Sequence, residues 1–276
     1  MYLMMLHRII VSFSNITKKE GIDMNVITWK KPSRLMAGTT LRDINLPENG
    51  NLALHTGGNL EQVLNNRRAF SDYLGISLQD WVCAKQTHSD HIKAVTAAER
   101  GRGAVSYEDG IEDCDALYTR EKGLLLTVMT ADCVPILLYE PIQEIICAIH
   151  AGWQGTVKEI TAKALQHLIE VEHCDPRRIH AYIGPAIAAS SFEVGMEVVQ
   201  QVKAMSFPTD AFIKYAANEK AFIDNKGLNK QMLLNAGLKE HHISVDKNDT
   251  FAPNERFFSY RRDHSCGRHM SYIMMK

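Results

Sequence analysis

Apolar positions along the chain follow two patterns. Leu60, Val63, Leu64 and Phe70 recur near helical spacing, with Gly75 as a stop, which predicts a helix over Leu60–Leu74. Residues 124–129, 134–139 and 145–149 are instead short apolar runs, with Pro141 starting a turn between the last two. They predict strands, the third apolar enough to be buried on both faces. Further on, Val157, Ile160, Ala164, Leu168 and Val171 are three or four apart, the stripe of an amphipathic helix with Thr156 as candidate N-cap. Asp175-Pro176 ends that helix. Strands are expected at 81–83, 179–183 and 243–245, and a helix over 228–238. Strand hairpins mix with strand–helix–strand units, so the expected fold is α+β: a single domain with mixed β-sheets layered against helices.

No Pro/Gly/Ser-rich linker divides the chain, which places one domain over 24–276. Met24-Asn-Val-Ile-Thr-Trp29 reads as its first strand. Residues 1–23 are expected to be an extension. Their apolar stretch is interrupted by His7-Arg8 and no small-residue cleavage site follows, unlike a signal peptide.

Composition narrows the function. The 276 residues carry Lys+Arg 31 against Asp+Glu 32, a net charge of −1, so nothing points to nucleic acid or an anionic membrane. No apolar run approaches the roughly 20 residues of a membrane span. The 6 cysteines form no CxxC pair and no regular framework, which suits free thiols in a reducing, cytoplasmic compartment. Neither GxGxxG nor GxxxxGK[ST] occurs, against dinucleotide or P-loop nucleotide binding.

The candidate chemistry lies at predicted strand ends. His150 closes an apolar strand and is followed by Ala151-Gly152-Trp153-Gln154-Gly155 before a helix. Gly152 and Gly155 would let a ligand approach the backbone, and the helix N-terminus favours an anion such as phosphate. Cys133 follows Asp132, a carboxylate placed to orient a neighbouring imidazole. His88 lies in the polar stretch Gln86-Thr87-His88-Ser89-Asp90. Two imidazoles and a thiolate suit a transition-metal site with a position left open. The same atoms suit a cysteine hydrolase, with Cys133 as nucleophile and a histidine as base. The residues alone leave both readings open.

Gln86-Thr-His88, Ala131-Asp-Cys133-Val-Pro, His150-Ala-Gly-Trp, Ile183-Gly-Pro-Ala-Ile187, Phe192-Glu-Val-Gly195 and Phe258-Ser-Tyr-Arg-Arg-Asp263, in that order, resemble the YfiH family. That family is labelled laccase-domain or polyphenol oxidase and is linked to purine nucleoside phosphorolysis. The resemblance runs from about residue 30 to the C-terminus. It implies a mixed-sheet fold in which His88, Cys133 and His150 bind zinc. It implies phosphorolysis of adenosine, inosine, guanosine and methylthioadenosine, and deamination of adenosine. The partners it implies are purine nucleosides and inorganic phosphate. Gly38-Thr-Thr-Leu-Arg42 resembles the family's N-terminal arginine motif, which makes Arg42 a candidate for phosphate. Phe192, Tyr260 and Arg261 are candidates for the pocket wall. The chain departs from the family's pattern at Gln154, where Arg or Lys is common, at Ser191, where Cys is common, and at Cys266, where Thr precedes Gly-Arg.

A genuine multicopper oxidase needs alternating His-x-His ligand pairs. This chain has 12 histidines and no His-x-His; His241 and His242 are adjacent. One copper in the His88, Cys133 and His150 site stays chemically open, as a polyphenol oxidoreductase alternative, because copper outcompetes zinc in raw affinity.

Overall fold

The computed structural model describes residues 24–30 and 34–276. The expected extension, 1–23, lies outside the described residues. In chain order the strands are β1 (Val26–Thr28), β2 (Leu35–Thr40), β3 (Trp81–Cys83), β4 (Ile92–Ala94), β5 (Ala116–Thr119), β6 (Leu125–Thr130) and β7 (Val134–Glu140). Then come β8 (Ile145–Ala151), β9 (His180–Ile183), β10 (Glu193–Gly195), β11 (Ile213–Ala216), β12 (Lys220–Ile223), β13 (Ile243–Val245) and β14 (His269–Met275). The α-helices are α1 (Leu60–Leu74), α2 (Trp153–Val157), α3 (Ile160–Glu170), α4 (Met196–Lys203) and α5 (Asn225–Asn235).

Two large sheets carry the fold, a five-stranded one in the order β1-β2-β14-β6-β3 and a six-stranded one in the order β13-β9-β7-β8-β5-β4. Both are mixed: β3–β6, β4–β5 and β9–β13 are parallel, and the other pairs antiparallel. A smaller sheet, β10-β12-β11, packs with α4 and α5. The α+β expectation is met.

Alternation explains the continuous apolar runs. Along β7, Ile136 and Leu138 face α3, while Leu137 and Tyr139 face the five-stranded sheet. On β8, Ile145, Cys147 and Ile149 take the helix side, and Ile146 and Ala148 the sheet side. Each face of these strands is therefore core, and each fully buried Leu or Ile is worth about 1.5–3 kcal/mol of transfer. On the outer face of the five-stranded sheet, Phe70 of α1 joins Trp81, Leu125 and Tyr272.

Helix α1 has the predicted bounds. Asn59 caps it by accepting from Gln62 N, and Gly75 at φ 69° supplies the left-handed stop. Leu60, read as part of its apolar stripe, is 55% exposed. The stripe after His150 is broken in two. Thr156 is not an N-cap: it lies inside α2, fully buried, with its hydroxyl bonded to Asn229. The break falls at Glu159, whose φ is 61° and whose carboxylate accepts from Ser206 N and Oγ.

Two chain crossings position the site. The chain leaves β3 in one sheet and enters β4 in the other through the loop containing His88. It crosses again from β6 to β7 through Ala131-Asp132-Cys133. His150 sits near the end of β8, paired opposite Pro135 of β7.

Candidate metal centre

The crossings bring three ligand atoms together. Those of His88, Cys133 and His150 lie within 4.8 Å of one another. His88 Nε2 is 3.8 Å from Cys133 Sγ, and the two imidazole rings meet edge to face at 4.8 Å. Among the described residues this is the one group of three or more His, Cys, Asp or Glu so arranged. Both crossings use left-handed backbone, His88 at φ 60° and Asp132 at φ 81°. Asp and His are among the residues that tolerate that region best.

Asp115, immediately before β5, organises the candidate metal site. It is 1% exposed. One carboxylate oxygen accepts from His150 Nδ1 at 2.7 Å and from His88 N at 3.2 Å. The other accepts from Thr87 N, Ser89 N and the Ser89 hydroxyl. Burial alone would raise its pKa, but His150 and Ser89 outweigh that and hold it at about 2. With Nδ1 committed to Asp115, His150 presents Nε2 as its ligand atom. The Gln86 amide, meanwhile, pairs with Met129 N and O like a strand residue, pinning the His88 loop to β6.

Cys133 is the one cysteine whose thiol is shifted toward the thiolate; Cys114, Cys147, Cys174 and Cys266 are all shifted the other way. Burial opposes ionisation of Cys133, yet the facing imidazoles of His150 and His88 bring its pKa down from 9.0 to about 6. His150 is correspondingly pushed up: burial works against its charge, but Cys133 and Asp115 outweigh it. Cys147, in the core of β8, shows the opposite behaviour, because burial there has no opposing cation and raises the thiol.

Asp132 does not orient an imidazole, as its position beside Cys133 suggested. Its carboxylate accepts from the Thr250 hydroxyl at 2.7 Å, the Ser259 hydroxyl at 3.0 Å and Arg261 N at 2.7 Å. It thereby fastens the 250–261 segment to the cysteine loop. The resulting cleft, about 310 Å³, is lined by His88, Cys133, Asp132 and Trp153, by Ile187, Phe192 and Asn225, and by Tyr260, Arg261 and His264. Phe192, Tyr260 and Arg261 all line it. The Arg261 guanidinium lies 5.4 Å from the Phe192 ring centroid, and that of Arg268 lies 5.3 Å from Tyr260.

The remaining sequence candidates fall elsewhere. Arg42 lines a different cavity of about 320 Å³, with Phe257, Ser259, Arg262 and Cys266, and its Nη1 donates to Glu255 O. The structure does not bring it into the cleft. Gly155 is buried in α2, where an added Cβ would sit 3.3 Å from Ser89 O, so it packs helix against loop instead of meeting a ligand. Gly152 does belong at the centre: a Cβ there would run into the His88 ring and come within 3.1 Å of Cys133 Sγ. Gln154 is exposed and does not line the cleft. Asp115 escaped the sequence reading. Its one signal was a carboxylate opening an apolar strand, in Asp113-Cys114-Asp115 before Ala116–Thr119.

The family described as multi-copper polyphenol oxidoreductase laccase matches residues 43–276. The purine nucleoside phosphorylase YlmD of Bacillus subtilis (strain 168) is 36% identical over 230 residues, 83% of each chain. The adenosine deaminase RL5, from an unknown prokaryotic organism, is 36% identical over 213 residues, 77% of this chain and 81% of its own. The crystal structure of the Bacillus licheniformis hypothetical protein YfiH superposes with a TM-score of 0.88 at 32% identity, covering 91% of this chain and 97% of that one. Fold and sequence agree, and the chain belongs to the YfiH family, the family described as multi-copper polyphenol oxidoreductase laccase.

Proposed function

We propose that this chain is a zinc-dependent purine nucleoside phosphorylase that also deaminates adenosine. Adenosine, inosine, guanosine and methylthioadenosine are its proposed nucleosides, inorganic phosphate its second substrate, and the cytoplasm its compartment. Two relatives are named for these two activities. The six free cysteines fit a reducing compartment. No helix among the described residues is long and apolar enough to cross a membrane.

The observation that carries the reading is the donor set at the mouth of an aromatic cleft. Tetrahedral zinc with ligands at its usual lengths separates a sulfur and a nitrogen by about 3.6 Å. His88 Nε2 and Cys133 Sγ stand 3.8 Å apart, so the residues fit such an ion. His88, Cys133 and His150 would hold the zinc, which would supply Lewis-acid chemistry there. Copper is accommodated by the same atoms, but a multicopper cluster is not: there is one such group among the described residues.

The chain's own residues supply the rest. Asp115 accepts from His150 Nδ1, which sets its tautomer, and from the amides of His88 and the residues on either side of it. Trp153, Phe192 and Tyr260 offer flat apolar surface for a purine. In phosphorolysis a phosphate oxygen bonds to C1′ as the bond from C1′ to the base nitrogen breaks. The base leaves with that electron pair and takes up a proton. Holding both substrates in one cleft converts the encounter into a positioned reaction.

A second reading has an observation of its own. Asp115, His150 and Cys133 stand in the order orienter, base and nucleophile of a cysteine hydrolase. The second imidazole, facing the same thiol, is surplus to that mechanism and is required by ligation.

The test is chromatography of adenosine and inosine incubated with phosphate, alongside metal content. The expected result is free base from both, inosine from adenosine, and about one zinc per chain, with His88→Ala losing zinc and at least roughly 100-fold in turnover. A metal-free protein that releases neither base nor inosine, and that iodoacetamide labels at Cys133, would sink the proposal in favour of the hydrolase.

A further inference from the structure

Phosphate carries most of its charge in a partly desolvated site only if a cation meets it there. Arg42, the motif-based candidate, lies in the other cavity. Among the described residues lining the cleft, Arg261 is the only arginine or lysine. Resting on the phosphorylase reading above, we infer that Arg261 is the phosphate anchor of the cleft and the residue that separates phosphorolysis from deamination.

Its placement is built. Its backbone N donates to Asp132 Oδ2 at 2.7 Å, one residue from Cys133. Its Nη1 donates to Glu193 O at 2.8 Å, and its guanidinium lies over the Phe192 ring at 5.4 Å. These contacts orient the planar fork while using one of its five N–H groups, leaving enough for a two-pronged grip on phosphate. The Asp132 carboxylate would repel an anion, but two hydroxyls and the Arg261 amide occupy its oxygens.

Neighbouring cations are committed elsewhere. The Arg262 guanidinium donates to Ala252 O, Phe251 O and Phe257 O and lines the Arg42 cavity. The Arg268 guanidinium donates to Cys266 O and Gly267 O and lies over Tyr260. His264 lies in the cleft with its ring edge-on to Tyr260 at 4.6 Å. Adenosine deamination forms a C6–O bond from water, breaks the C6–N bond with release of ammonia and needs no phosphate, so the two reactions draw on Arg261 unequally.

The experiment compares wild type, Arg261→Ala and Arg261→Lys as zinc-loaded proteins. Arg261→Ala is expected to raise the phosphate KM of inosine phosphorolysis by at least about tenfold. Arg261→Lys keeps the charge but loses the fork and falls between. The ratio of phosphorolysis to phosphate-free adenosine deamination is expected to drop by at least about tenfold in Arg261→Ala. Equal losses in both reactions would mark a structural role and overturn the anchor. So would a phosphate KM within about twofold of wild type. Calorimetric titration with inorganic phosphate reads the anchor without turnover. Wild type is expected to bind it and Arg261→Ala to bind it at least about tenfold more weakly; equal binding overturns the assignment. If wild type binds phosphate through Arg261 but releases no base, the phosphorylase reading fails and the anchor stands.

Discussion

Asp115 and Asp132 are both carboxylates beside a candidate metal ligand, and the fold uses them for different ends. Asp115 is almost fully buried and gathers the ligand side: His150 Nδ1 and the three successive amides of Thr87, His88 and Ser89. Asp132 is half-buried and reaches forward in sequence to Thr250, Ser259 and Arg261. One therefore fixes the candidate metal end of the cleft and the other its opposite wall. The contrast teaches that the carboxylate adjacent to a ligand in sequence is not the one that orients a ligand in space. Strand pairing decides that: β5 runs antiparallel to β8 in the six-stranded sheet and brings Asp115 against His150, while Asp132 lies in the crossing from β6 to β7 and meets the 250–261 segment.

The largest expected effect comes from breaking the metal end. Asp115→Asn replaces one accepting oxygen by an NH₂ that faces N–H donors. With its partners left unsatisfied in the core, it is expected to cost roughly 2–4 kcal/mol of stability. Zinc affinity is expected to fall by roughly 10–100-fold, as for other partners that orient a ligand. Competition with a chromogenic chelator, paired with urea unfolding of the metal-free protein, measures the two separately. Wild-type affinity in Asp115→Asn would erase the distinction between the two aspartates.

What the sequence made legible follows the same division. Helix α1 was readable because its period, its Gly75 stop and its apolar face are all local. Strands β7 and β8 were readable because burial on both faces leaves a continuous apolar run. His88, Cys133 and His150 could be named individually, but their meeting depends on two crossings between sheets that no local pattern encodes. Asp115 was invisible for that reason: its partners lie 26 to 35 residues away. Arg42 was assigned to phosphate from a motif, and a motif does not say which side of the 252–266 segment a side chain occupies. Thr156 resembles an N-cap in sequence, but a buried Asn229 amide claims its hydroxyl.

Asp132→Asn attacks the opposite wall and sharpens the comparison from the other side. One oxygen of the carboxylate is lost, so either Thr250 or the Ser259–Arg261 pair loses its acceptor. About 1–2 kcal/mol of loop fixation goes with it. The expected outcome is a KM raised roughly tenfold for nucleoside and phosphate together, with zinc still near one per chain. Steady-state kinetics beside metal analysis checks this. Loss of zinc in step with activity would show that Asp132 serves the metal end after all.

The footing of that wall is sensitive to pH. His269, on β14, is 1% exposed; its Nε2 accepts from Phe258 N and its Nδ1 donates to Thr130 O, tying the wall segment to the strand before Asp132. The bond from Phe258 N requires a neutral ring, because a protonated Nε2 has no lone pair to accept it. Burial, with Arg268 and Arg262 nearby, lowers its pKa from 6.5 to about 3, against the opposing pull of Thr130 O. A folded pKa below the unfolded one means that the unfolded chain takes up the proton first. The His269 contribution is thus complete above pH 6.5 and is lost as pH falls from there toward about 3. The slope is roughly 1.4 kcal/mol per pH unit once the unfolded histidine is charged. His269→Gln keeps an acceptor and a donor but cannot titrate. It is expected to be less stable than wild type at pH 7, with the gap narrowing by about that slope per unit as the medium is acidified. Urea unfolding of both proteins across that range measures the gap, and acid effects on the metal ligands, common to both, cancel in the difference. A gap independent of pH would mean that the ring charges without releasing Phe258, and that the wall stands on Asp132 alone.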